Sequence, residues 1–480
     1  MLPTPSPAGT CRTIRRKGER AHSSGYPQVP RESPGSGDTP GRPRRANVAS
    51  TTGRSTSMEV RRTMAAATAG LVASGLLAAC SADAGSADTL YWYINPDSGG
   101  QAKVAANCST DKYKIETQVL PQDANEQRIQ LARRLAAHDS GIDIMSIDPP
   151  FTAEFSNAGF LAELPADLQD RLTEQSFKGA TEAATWDGQM VVAPFWSNTQ
   201  VLWFRKSFVE KAGIDMSQPV TWDQIIDTAA KNDGKVAVQA NKYEGYVVWI
   251  NALISGAGGE IATDTEKGLD MKLEIDSPAG EKAAAIIEKL SHSAAAPADL
   301  SVAQEGQAGS TFGGKQGAFM VNWTYIYNNY EATDPGFNKD IGYTRYPQST
   351  EGEESRPPYG GIGLGVSSYS NHVDEAMEAI ECLTSPENQE VNAEITGNMP
   401  ASEAGYAAND NALQKTYPED LLKLFQESLD AAAPRTVTPY WSDISGGIQS
   451  TWHPSSGVNS DTPAKSQTFI DNVLHGRSLL

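Results

Sequence analysis

Cysteine is scarce in this chain, with four residues among 480. No histidine sits at ligand spacing from Cys108 or Cys382, which argues against a zinc site, and the six histidines are scattered. No apolar run reaches the ~20 residues that a membrane-spanning helix needs. Catalytic signatures are missing as well: there is no Gly-x-Ser-x-Gly, no His-Glu-x-x-His and no Walker loop. The run Gly361-x-Gly363-x-Gly365 lacks dinucleotide-binding spacing and reads as a strand passing close to another backbone or a ligand. Positive charge is in deficit, with 39 Lys and Arg against 59 Asp and Glu and a formal net charge of -20. Residues 1–79 are net basic, so the remainder is more acidic still. That balance opposes binding to nucleic acid and electrostatic adhesion to anionic lipid. The chain also lacks internal repeats.

What the N-terminal part does have is an address. Arg61 and Arg62 precede a charge-free apolar stretch, Met64 to Ala79, that ends in small residues. This order is a secretory signal over 58–79. Its last residues, Leu77-Ala78-Ala79-Cys80, resemble the bacterial lipobox, in which the cysteine takes a diacylglycerol and becomes the first residue of the mature protein. Cys80 is therefore the expected lipidation site, and residues 80–88 read as a polar tether. Residues 1–57 are rich in Pro, Gly, Ser and Arg and cannot bury a core, so they are expected to be disordered or a mis-annotated extension upstream of a start at Met58. An extracytoplasmic chain leaves Cys108 and Cys382 in an oxidising compartment. A disulfide between them is expected, with two isolated buried thiols as the other reading.

From residue 89 the pattern is strand, helix, strand, helix, strand: Thr89–Ile94, a helix through Cys108, Tyr113–Leu120, Asn125–Ala137 and Ile142–Ile147. This alternation predicts an α/β layer with a mostly parallel sheet, whose ligands sit beyond the carboxyl ends of the strands. Asn95, Asp97 and Asp148 occupy such positions. Gln189–Trp196 and Val201–Arg205 read as two strands flanking Ser197–Gln200. Thr221 and Gln224 form a capping box. Residues 374–394 read as helical, interrupted at Pro386.

The order of segments resembles family-one solute-binding proteins of ABC importers. Pro194-Phe-Trp-Ser-Asn198, the turn-strand Lys315-Gln-Gly-Ala-Phe319 and Asn398-Met-Pro400 carry that likeness. More narrowly, the chain resembles the trehalose-binding lipoproteins of mycobacteria and other actinobacteria. The matching stretches are Leu120-Pro121 with 125–135, Thr152–Phe155, Asn198–Gln200 with Leu202-Trp203, Ala237–Asn241, Glu244-Gly245, Val247–Trp249 and Ser255–Gly259. The resemblance implies a periplasmic-binding-protein-like fold of type II, with two α/β lobes joined by a multi-crossing hinge around a ligand cleft. Lobe one would be about 88–197 and 361–398, lobe two about 200–358 and 402–480, with crossings near Asn198, Gly360 and Met399. It implies a non-catalytic, monomeric receptor, lipid-anchored on the outer face of the cell membrane and without cofactor. That receptor hands a disaccharide, foremost trehalose, to two permease subunits driven by a cytoplasmic ATPase.

Sugar-contacting groups are implied at Asp148, Asn198, Glu305, Trp323, Gly361 and Arg435, with Asn95, Asp97 and Trp196 as further contacts. The chemistry agrees: carboxylates and amides grip adjacent hydroxyls, Arg435 offers a planar fork, and Trp323 can lie under the apolar face of a pyranose. On this reading Glu305→Ala, Arg435→Ala and Trp323→Ala each lose affinity while the ligand-free protein keeps its stability. Bland roles stand beside these: Asp148 as a helix cap, Asn198 as a hinge turn, Glu305 as a solvated helix-start charge, Trp323 as core, and Arg435 as a surface salt bridge. Two alternatives stay open. One is a receptor for maltose, a maltooligosaccharide or another sugar. The other is a secreted glycoside hydrolase with Asp148 and Glu305 as its acid–base pair.

Overall fold

The structure, a computed structural model, describes residues 88–410 and 412–480. The signal, Cys80 and the tether up to residue 87 lie outside them, while Asp88, expected as the last tether residue, already opens the first strand. Strand β1 (Asp88–Ile94) leads through the helix Gly100–Cys108 to β2 (Tyr113–Val119), and the helix Ala124–Ala136 leads to β3 (Ile144–Ile147). A small hairpin, β4 (Thr185–Trp186) and β5 (Gln189–Met190), precedes the long strand β6 (Ala193–Arg205). After β7 (Lys235–Ala237) come a second small hairpin, β8 (Ala262–Thr263) and β9 (Lys272–Leu273), then β10 (Gly317–Trp323), β11 (Ile341–Thr344) and β12 (Tyr359–Val366).

The main sheet runs β2-β1-β3-β12-β6-β10-β7, with β11 also paired to β6. The first three strands are parallel, as the alternating pattern predicts, but β12 runs antiparallel to both β3 and β6. The sheet is therefore mixed rather than mostly parallel. Two α/β lobes share β6. Its first part, Ala193 to Thr199, pairs with β12, and its second part, Gln200 to Arg205, pairs with β10 and β11. The sequence pattern predicts two strands flanking Ser197–Gln200, whereas β6 is one strand of 13 residues. It stays extended because the crossing is itself paired. Ser197, Asn198 and Thr199 lie opposite Gly361, Gly360 and Tyr359, Gln200 lies opposite Trp323, and Ser197 N donates to Met399 O. With its backbone groups satisfied there, the segment has no need to turn.

Each lobe is closed by large apolar side chains. Trp92 lies under the first sheet half, and Trp222, Trp249, Trp441 and Trp452 are fully buried among the helices of the second. Each such side chain contributes on the order of 1.5–3 kcal/mol by leaving water. Helix ends follow the sequence signals. Asp123 accepts from Asn125 N and Glu126 N, the Thr221–Gln224 capping box is complete, and Ser385 caps the helix Pro386–Thr396 directly after the helix Val373–Leu383.

Cys108 and Cys382 end up on neighbouring helices of the same lobe, with their Cα atoms 5.8 Å apart and their sulfurs 2.08 Å apart. A bond there joins two elements of one lobe and leaves the cleft free to open. The oxidised protein is expected to weigh two hydrogens less than the reduced protein by intact mass. Reduction, or Cys382→Ser, is expected to cost about 2–4 kcal/mol in urea unfolding. Two free thiols in the oxidised protein would overturn the pairing.

Candidate functional site

The lobes enclose a cavity of about 620 Å³. Asn95, Asp97, Asp148, Trp196, Asn198, Glu305, Trp323, Gly361 and Arg435 all line it. Its walls come from both lobes and from the hinge. A larger concavity, about 920 Å³, is walled only by residues 251–266, 350–356 and 433–437. Those residues lie on one side of the hinge, so lobe closure cannot enclose a ligand there.

On the first lobe, the loop after β1 is held from beneath. Trp92 Nε1 donates to Ser146 Oγ, which donates to Gln101 Oε1, and the Gln101 amide donates to Asn95 O. Asp97 is expected to touch ligand, but the structure commits it to the helix below: its carboxylate accepts from Gly99 N and Gln101 N. Asn95 donates to Gln127 Oε1, while its own Oδ1 is buried without a partner. Asn198 is likewise spent on the hinge. Its amide donates to Asn398 Oδ1 at 2.8 Å, and its Oδ1 accepts from Thr324 Oγ1 and Met399 N. Asn198 thus holds the hinge and lines the cavity at the same time. Gly361 sits beside it at φ 143°, where an added Cβ would stand 2.2 Å from Trp196 O. Only glycine fits so close an approach in that conformation.

Asp148 does not cap the helix that follows it. Its Oδ1 accepts from Arg435 Nη2 at 2.7 Å, so the pair bridges the lobes. Arg435 is no surface residue, since its side chain is 4% exposed. Its second partner is Glu244, 2.9 Å from Nη1 and 3% exposed, which also accepts from Trp441 Nε1 and Ser445 Oγ. Burial pushes the Glu244 carboxyl up, against the pull of Arg435 in the other direction. Sequence reasoning missed Glu244. Its one signal was membership of the Glu244-Gly245 stretch, because its partners lie some 190–200 residues further on.

On the second lobe a buried amide chain leads from the hinge to the cavity. Gln200 donates to Gln239, Gln239 to Asn322 Oδ1, and Asn322 Nδ2 to Glu305 O. Asn322 Oδ1 also accepts from Trp323 N. This chain fixes Trp323 and Glu305 relative to each other, and Trp323 rests its ring on Gly360. Glu305 opens the helix Glu305–Gly313, but it faces the cavity rather than solvent. Desolvation raises its pKa, and the nearby Asp123 and Asp148 add to that. Tyr243 and Tyr325, two further lining residues that sequence reasoning missed, stand near Glu305, and burial raises both phenols.

The lining carries the carboxylates of Asp97, Asp123, Asp148, Glu244 and Glu305 against the single cation Arg435. Such a site disfavours anions and suits a neutral ligand with many hydroxyls and an apolar face. Among the described residues, no group of His, Cys, Asp and Glu is arranged to hold a metal, and no helix is long and apolar enough to cross a membrane.

Residues 61–390 match the family model for bacterial extracellular solute-binding proteins. A probable ABC transporter-binding protein of Deinococcus radiodurans is 24% identical over 329 residues, covering 66% of this chain and 76% of the relative. The diacetylchitobiose binding protein DasA of Streptomyces coelicolor is 25% identical over 376 residues, covering 76% of this chain and 80% of the relative. Among solved structures, maltose-bound MalE3 of T. maritima superimposes with a TM-score of 0.71 at 23% identity, over 81% of this chain and 100% of that one. That likeness is one of fold, and it is the two-lobed, type II arrangement.

Proposed function

This chain belongs to the bacterial extracellular solute-binding protein family, and on that premise we propose that it captures trehalose outside the cell and delivers it to an ABC sugar importer. Members of the family bind and hand on solutes and are not enzymes, which removes the glycoside hydrolase alternative. Consistently, Asp148 is held by Arg435 and is not free to act as a general acid.

The observation that carries the sugar reading is the cavity itself. An indole platform, Trp323, lies opposite fixed polar groups from both lobes, and two of those groups, Asn95 Oδ1 and Tyr243 Oη, are buried without partners. A hydroxyl-rich ligand of disaccharide size meets those needs, and a cavity of about 620 Å³ has room for it. The narrower choice of trehalose rests on the resemblance carried by 120–121 with 125–135, 152–155, 198–200 with 202–203, 237–241, 244–245, 247–249 and 255–259. Lobe closure then moves about the crossings at Asn198, Gly360 and Met399. Cys80 supplies the lipid anchor, the receptor acts as a monomer, and two permease subunits with their ATPase take the sugar.

A calorimetric titration of the mature chain against trehalose, maltose and diacetylchitobiose tests this. Trehalose is expected to bind and to raise the thermal midpoint, because a ligand that binds only the folded state stabilises it. If maltose or diacetylchitobiose binds and trehalose does not, trehalose is excluded and the receptor reading stands. If no sugar shifts the midpoint or the tryptophan fluorescence, the sugar reading itself fails.

A further inference from the structure

Three consecutive residues, Tyr243, Glu244 and Gly245, open the helix Glu244–Gly256 at the cavity wall. Glu244 anchors Arg435, but Tyr243 has no such partner. Its side chain is buried at 6% exposure, its hydroxyl stands near Glu305, and that hydroxyl meets no protein group at hydrogen-bond geometry. The Glu305 carboxylate is the one group close enough to interact with it, and that contact falls short of a well-formed hydrogen bond, so the hydroxyl is poorly satisfied in the ligand-free protein. Gly245 fixes its position. A Cβ there would stand 2.2 Å from Tyr243 Oη and 2.3 Å from Cζ, so the ring lies directly across the glycine. Glu305 is the complement, as the one lining carboxylate that neither pairs with a protein cation nor caps a helix.

We propose that Tyr243 is a specificity-determining residue that, with Glu305, reads one hydroxyl of the bound sugar. The Tyr243 O–H donates to the ligand hydroxyl oxygen, and that hydroxyl donates its own proton to the Glu305 carboxylate. A pyranose hydroxyl satisfies both protein groups at once, whereas a deoxy or O-methyl position satisfies neither or one. The inference rests on the sugar-receptor reading above. It adds a residue and a rule: the site rejects analogues lacking that hydroxyl, because both polar groups would then be buried unpaired.

The test uses the full mature chain with Tyr243→Phe and Gly245→Ala, titrated with trehalose and its monodeoxy derivatives. Tyr243→Phe is expected to weaken trehalose binding by about tenfold or more, with the ligand-free midpoint unchanged or higher. One monodeoxy derivative is expected to bind wild type about tenfold more weakly than trehalose does, and to bind Tyr243→Phe as it binds wild type. Gly245→Ala displaces the ring and is expected to lose trehalose in the same way, which keeps the test intact if the phenylalanine variant folds poorly. Trehalose binding by Tyr243→Phe within about twofold of wild type overturns the inference and leaves the receptor reading standing. If wild type binds a different sugar of the panel, that sugar replaces trehalose in the comparison, and binding of it by Tyr243→Phe within about twofold of wild type overturns the inference just the same. Wild type that binds no sugar at all overturns the reading and the inference together.

Discussion

Replacing Arg435 with alanine is expected to destabilise the ligand-free protein by about 3–5 kcal/mol, the cost of leaving a buried carboxylate without its cation. From sequence alone the same substitution is expected to spare stability, because the resemblance makes Arg435 a ligand contact. Burial reverses that expectation. Arg435 and Glu244 are both nearly inaccessible, and Asp148 reaches the same guanidinium from the other lobe. Once Arg435 is gone, Ser445 and Trp441 still donate to Glu244, but burial then acts unopposed and drives its carboxyl further up.

The sign with pH follows. An acid whose folded pKa lies above its unfolded value stabilises the fold most below the unfolded value, near 4.5 for Glu244, and that stability is lost as pH rises through the folded pKa. The deficit of Arg435→Ala should therefore be smallest in mild acid and widen toward neutral pH. Urea unfolding at pH 5 and pH 7 measures it. The double variant Arg435→Met with Glu244→Gln should recover most of the loss, because it removes the more deeply buried carboxylate with its cation and leaves only Asp148, at 19% exposure, without its partner. A single variant as stable as wild type at pH 7 would show that the triad is not what holds this loop.

The strands and helices of the first lobe were legible because their apolar residues recur at clear periods over short spans, and in the second lobe the Thr221–Gln224 capping box marks a helix start locally. The hinge was less legible. Nothing near Ser197–Gln200 says that the strand continues, since its partners on β12 and β10 lie more than a hundred residues later. The candidate contacts divide along the same line. Asp148, Glu305, Trp323 and Arg435 come from the resemblance to solute-binding proteins, and their residue types suit the grip of a sugar. Tyr243 and Glu244 look like an ordinary helix start, and only tertiary packing shows one to be an unpartnered donor and the other the counterion of Arg435. The amide chain Gln200–Gln239–Asn322 is invisible to any local pattern, because each member takes its role from the next. Asp97 and Asn198 carry a second duty that no local pattern shows: both line the cavity, and their side chains also hold the helix below and the hinge.

Glu305→Gln is expected to separate stability from function. The carboxylate is desolvated, has Asp123 and Asp148 as neighbours and lacks a cation partner, so its pKa is raised. An amide of the same shape removes that unfavourable charge and should make the ligand-free protein more stable at pH 7. By the same sign argument as for Glu244, the gain should be absent well below pH 4.5, where wild-type Glu305 is already protonated, and should grow as pH rises through the folded pKa. Affinity should move the other way. A charged hydrogen bond to a sugar hydroxyl contributes ~1.5–3 kcal/mol, so the amide should weaken binding by roughly ten- to a hundredfold. Wild-type affinity should fall as pH is lowered through the raised pKa, while the variant, having no carboxyl there to titrate, should show a flatter profile. Thermal unfolding across pH 4–8 and calorimetry of trehalose at the same pH values read both quantities. A variant less stable than wild type at neutral pH would make Glu305 a structural charge. One that keeps wild-type affinity at every pH would move the hydroxyl-binding carboxylate elsewhere in the cleft.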